Sequence, residues 1–139
     1  MVFKKDIVIE RLKELDTIVE ELKKYEKISL EEMEKSLSKR WIIERGLIAG
    51  ANVIFDISDY ILSSKFSIYP DTYEETLLRL YEKRIISEKL YNKIKGFGSF
   101  RNILVHEYIN LDVKEVYKNF KKAIEIFCDF SREIISSIS

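Results

Sequence analysis

Arg40 to Leu62 reads RWIIERGLIAGANVIFDISDYIL. No proline interrupts it, and its apolar residues fall at helical spacing rather than alternating as a strand would. Extended a turn back, it carries two apolar stripes. One is Leu37, Trp41, Ile48, Ala51, Phe55 and Leu62; the other is Ile43, Leu47, Gly50, Ile54, Ile57 and Ile61. Ser29 with Glu32 has the form of a capping box, and nothing after it breaks the pattern before about Ser64. At ~1.5 Å per residue such a helix would run roughly 50 Å, more than a domain of this size wraps. A helix apolar on two sides is either central in its own chain or shared with a second copy. A dimer is expected.

Outward from this helix the pattern stays helical. Upstream, Val8, Leu12, Leu15, Val19 and Leu22 form an a/d-like stripe on a first helix from about Lys4 to Tyr25. Downstream, SSKFSIYP reads as a loop ended by Pro70, and Asp71 with Glu74 opens a third helix carrying Leu77, Leu78 and Leu80. Ser87 opens a fourth, which Gly96 and Gly98 should bend or interrupt. Asp112 with Glu115 opens the last, where Val113, Val116, Phe120, Ile124 and Phe127 recur at helical spacing. One proline and four glycines are few turn residues for 139 positions. The expected fold is all-α, an antiparallel bundle of four to five helices in one domain spanning 1–139.

Lysine plus arginine balance aspartate plus glutamate at 24 each. A nucleic-acid coat protein would carry a positive surplus, whereas an RNA enzyme needs only a local basic groove. The single cysteine, Cys128, excludes an intramolecular disulfide and a cysteine metal cluster, and it reads as a small buried hydrophobe. The N-terminal MVFKKDIVIERLKELD meets charge every few residues, unlike a signal peptide, and no apolar run reads as long enough to span a bilayer. The expected location is the cytoplasm, with no membrane partner.

The single histidine, His106, follows Arg101 by five residues and precedes Tyr108 by two. On an ideal helix Arg101 and Tyr108 share a line, and Asn102 and His106 share a neighbouring one. All of them converge only if the helix loosens near Glu107 or a second subunit contributes. The set suits phosphodiester transfer in RNA. An imidazole titrates near neutrality and can take the proton of an attacking 2′-hydroxyl. A guanidinium can meet the charge on the phosphate oxygens with two hydrogen bonds. Tyr108 can contact a phosphate or orient the imidazole. With the 2′-hydroxyl as nucleophile, neither a metal nor a cofactor is required. Lys89, Lys93, Lys95 and Arg101 make a locally basic stretch, with Lys93 and Lys95 the candidate RNA contacts. The blander reading of a lone histidine near a helix end is a capping or core residue.

The ordered residues Phe100-Arg101-Asn102, Leu104-Val105-His106 and Tyr108, followed by Asp112 and Val116, resemble the R-N-x-x-x-H-x-Y signature of HepT-like toxins in the HEPN superfamily. Residues 40–61, the helix start at Pro70–Glu74, and Ile85-Ile86-Ser87 also resemble that family. The resemblance implies a helical-bundle homodimer with the two motifs facing across a cleft. It implies a ribonuclease toxin of a type II or AMPylation-controlled toxin–antitoxin pair, with Arg101, His106 and Asn102 acting on the phosphate. It further implies a cognate MntA-type nucleotidyltransferase antitoxin, with Tyr108 as the position to which such a partner transfers AMP. The alternative is a non-catalytic HEPN module that partners a nucleotidyltransferase. Two departures stand out: Lys83-Arg84 occupies a position where relatives often have a glycine turn, and Asp59 one where histidine is common.

The remaining features read as structural. Trp41 and the helically spaced Phe and Tyr residues are core or interface, with RNA stacking by Phe97 or Phe100 the lesser option. Gly46 and Gly50 permit close helix approach. Asp56 and Asp59 are more often solvated than metal-binding, and Glu44 and Arg45 read as interface ion-pair residues.

Overall fold

The computed structural model describes residues 2–106 and 111–139. Among them the helices are α1 (Lys5–Lys23), α2 (Leu30–Lys35), α3 (Leu37–Phe66), α4 (Tyr73–Glu82), α5 (Glu88–Ile94), α6 (Phe97–His106) and α7 (Val113–Ile138). The fold is all-helical, as expected, but with seven helices rather than five. The glycine interruption divides α5 from α6. The other additional break falls at Ser36, inside what the periodicity reads as one long helix. Ser36 is extended, with φ −115° and ψ 98°, and its hydroxyl accepts the Lys39 N–H at 3.3 Å. A serine side chain that bonds the backbone in this way competes with helix continuation and becomes an N-cap. Its own N–H still closes α2 on the Glu32 carbonyl.

The other caps follow the sequence with small shifts. Thr72, not Asp71, caps α4 by accepting the Glu75 N–H at 3.0 Å, and the Glu75 carboxylate reaches back to the Asp71 N–H. Ser87 caps α5 as read. Asp112 caps α7 by accepting the Lys114 N–H at 2.9 Å.

Helix α3 lies at the centre, with α1, α7, α4 and α6 packed around it. Its second stripe is wholly inside: Ile43, Leu47, Gly50, Ile54, Ile57 and Ile61 are all buried. Each such aliphatic side chain contributes about 1.5–3 kcal/mol of transfer free energy. The first stripe divides. Ala51, Phe55 and Leu62 are buried, while Leu37 and Trp41 at its N-terminal end are exposed, together with Ile42. A Cβ on Gly50 would lie 2.3 Å from the Phe127 ring, so the spacing of glycines does allow α7 to close on α3.

Two expectations are corrected. By length and composition α3 is apolar enough to cross a membrane, yet more than half of its most apolar window is buried inside the chain. That apolarity serves the core. Cys128 is exposed rather than buried, because it falls on the outer face of α7 while Phe127 and Phe130 point inward.

Candidate active site

The motif helix is seated by contacts that begin before the motif. Gly96 has φ +90°, a left-handed conformation that lets α5 end at Ile94 and α6 start at Phe97. Its N–H donates to Glu74 Oε2 at 2.9 Å. Two residues on, a Cβ at Gly98 would stand 2.3 Å from Tyr73 Cβ. Helix α6 therefore rests directly on the first turn of α4, and this contact sets where Arg101 emerges.

Arg101 is half-buried and held from three sides. Its Nε donates to Asn52 Oδ1 at 3.0 Å, and Nη1 donates to Asn102 Oδ1 at 3.2 Å. The guanidinium stands 5.4 Å from the Tyr73 ring centroid, and that ring packs against Phe55 at 4.3 Å. A guanidinium has five donors. Among the described residues two are used, leaving three for an incoming oxyanion. Neither Asn52 nor Tyr73 was singled out from sequence as a site residue. The only signal was a polar side chain set within the apolar GLIAGANVIF run.

His106 is the last residue of α6 and is exposed. Five residues of α-helix turn it about 140° around the axis from Arg101. Among the described residues no hydrogen bond joins the two. The structure thus brings Arg101 and Asn102 together but leaves His106 on another side of the helix. Tyr108 lies outside the described residues, as does Glu107, where the helix was expected to loosen.

Asn102 also borders a cleft of about 470 Å³ together with Asp59, Pro70, Asp71, Thr72, Tyr73 and Thr76. Burial pushes the Asp59 carboxyl above its usual range, partly offset by a hydrogen bond from Thr76 Oγ1 at 3.3 Å. The neighbouring Asp56 adds to the rise while itself pairing with Arg11. Among the described residues no three His, Cys, Asp or Glu side chains gather as a metal set.

The two candidate RNA lysines differ. Lys93 Nζ lies 2.6 Å from Asp129 and 2.7 Å from Glu125. Those hydrogen bonds hold the ammonium above the usual lysine range, and Lys93 with Arg132 holds Asp129 below the usual carboxylate range. Lys95 is exposed just beyond the end of α5. Glu44 pairs within the chain, with Arg40 at 2.8 Å, and Arg45 is exposed.

A family model described as ribonuclease HepT-like matches residues 15–134. The chain belongs to this HepT-like family. It is 32% identical over 131 residues to the tRNA nuclease HepT of Aphanizomenon flos-aquae (strain 2012/KM1/D3), covering 94% of this chain and 89% of that one. Its fold is that of the tri-AMPylated Shewanella oneidensis HEPN toxin in complex with MNT antitoxin. The TM-score is 0.84 at 18% identity, covering 96% of this chain and 99% of that one. A cytosolic protein of unknown function from Bacillus subtilis, YutE, superposes with a TM-score of 0.83 at 18% identity, covering 99% of this HepT-like chain and 93% of that one. At such identities the likeness shows the fold alone.

Proposed function

We propose that this HepT-like chain, a single domain over 1–139, is a metal-independent RNA endonuclease toxin acting as a homodimer. The observation that carries the reading is Arg101. It is held half-buried by Asn52, Asn102 and Tyr73, yet among the described residues keeps three N–H groups for a phosphate. His106 takes the proton of the RNA 2′-hydroxyl as that oxygen attacks phosphorus. The bond from phosphorus to the 5′-oxygen breaks, leaving a 2′,3′-cyclic phosphate and, once the leaving oxygen is protonated, a 5′-hydroxyl. Arg101 meets the charge that builds on the equatorial oxygens. Because His106 and Arg101 of one chain face different directions, the pair is completed by a second copy across a cleft. Asn102 and Tyr108 contact the phosphate. The partner is an MntA-type nucleotidyltransferase antitoxin, Tyr108 accepts AMP from it, and the complex is cytoplasmic. The nuclease name of the Aphanizomenon relative and the AMPylated, antitoxin-bound state of the Shewanella toxin support this.

Purified wild-type protein is expected to cleave RNA in EDTA, with His106→Ala and Arg101→Ala each lowering kcat/KM by about 10²–10⁴-fold. RNA left intact by a folded wild-type dimer overturns the proposal. The separation of His106 from Arg101 around α6 favours one second reading, a non-catalytic module partnering a nucleotidyltransferase. Intact RNA, together with an AMP mass increment on the Tyr108 peptide after incubation with ATP and that enzyme, would select it.

A further inference from the structure

Helix α6 has a second exposed face, and it borders a groove. Helix α6 packs chiefly on α3 and α4 and meets α7 at its first turn, where Phe97 stands edge-on to Phe127 at 5.6 Å. The gap of about 300 Å³ left beside it is bordered by Lys93, Lys95, Ser99 and Ile103 on one side and by Glu115, Lys118, Asn119 and Lys122 on the other. Lys93 is neutralised by Glu125 and Asp129. Among the described residues that border the groove, Lys95, Lys118 and Lys122 remain against the single carboxylate of Glu115. In a chain of zero net charge this is a local positive field, and Ser99 and Asn119 add side-chain hydrogen-bond donors.

The direction of the groove gives it meaning. Ser99, Ile103 and His106 follow one another at i, i+4 and i+7, so the stripe of α6 that borders the groove ends at His106. Arg101 lies on a different side, against Asn52 and Tyr73. A strand of regularly spaced negative charge lying in the groove would be led to the imidazole.

We infer that the groove between α6 and α7 is a phosphate-backbone track, in which Lys95, Lys118 and Lys122 hold the RNA strand leading to His106. This rests on the ribonuclease reading for its substrate, but it concerns binding, which is measurable without cleavage. An acidic protein surface is the competing occupant. RNA is favoured because the stripe of α6 that borders the groove ends at the proposed base, an arrangement a protein partner has no need of.

The test uses the full-length His106→Ala protein and a fluorescein-labelled RNA, with affinity measured across a salt series. Each phosphate contact contributes roughly 0.7–0.9 to the slope of log K against log salt. Lys95→Ala/Lys118→Ala/Lys122→Ala is expected to flatten that slope by about 2–3 and to weaken binding at low salt. The matching Lys→Arg triple should restore both. A control triple on α1 (Lys5, Lys13 and Lys23 to Ala) should change neither. An unaltered slope in a folded alanine triple overturns the track, and so does loss of antitoxin binding with RNA binding intact. A wild type that binds RNA with the expected slope change but never cleaves it leaves the track standing and removes the nuclease. One that cleaves with salt dependence unaffected by the triple does the reverse.

Discussion

Arg101 owes its aim to two side chains without charge and one aromatic face. Asn52 supplies an acceptor for Nε, Asn102 an acceptor for Nη1, and Tyr73 a ring for the guanidinium plane. Asn52 is the instructive one, because it reaches the arginine from another helix. A hydrogen bond to a charged group is worth about 1.5–3 kcal/mol, so Asn52→Ala is expected to lower kcat about tenfold or more. KM should move less, and the thermal melt should be little changed. Asn52→Asp, which retains the acceptor, should recover part of the loss; steady-state kinetics on a short RNA reads all three. The motif residues were legible in sequence because they occupy one helix, where spacing fixes which side chains share a line. Asn52 was not, since it stands 49 positions before Arg101 and meets it only after α3 and α6 pack. The separation of Arg101 from His106 was legible as well: spacing places them on different sides, and the helix keeps them there.

Helix ends tell a similar story. Ser87 and Asp112 were readable as caps because the chemistry of an N-cap is local. The break at Ser36 was harder, since Leu37 and Trp41 continue the apolar period across it and hide the competing hydroxyl. The end of α4 shows a third case. Arg84 sits at φ +60°, its N–H bonded to the Tyr81 carbonyl, while the Ile85 N–H returns to Leu80 at 2.9 Å. This is the left-handed C′ position that glycine fills most cheaply. The resemblance to the HepT-like family sets Lys83-Arg84 apart as a position where a glycine turn is often expected. Arg84→Gly is accordingly expected to raise stability by about 1 kcal/mol, seen as a higher urea midpoint at unchanged m-value. A lower midpoint would mean that the arginine side chain contributes more than its backbone costs.

Across the molecule, one helix sets the plan. Helix α3 is surrounded along most of its length, and its N-terminal end, with Leu37, Trp41 and Ile42, is left in solvent. Trp41 is 61% exposed, an uncommon state for so large an apolar side chain. The proposed second copy would cover it. Trp41→Glu is expected to shift the protein from dimer to monomer in sedimentation velocity while helix content stays constant; an unshifted dimer would move the interface elsewhere. The two-stripe reading of this helix offered a central position as one of two outcomes, because that follows from where apolar side chains fall around one axis; it did not single out the bare end. It did not anticipate which face of α7 would meet solvent, and so it misplaced Cys128. That error has a practical side. With one cysteine per chain, and that one exposed, each protomer carries a single thiol addressable by maleimide chemistry. A spin label or fluorophore there needs no engineered cysteine, and the separation between two such labels would report the geometry of the assembly directly.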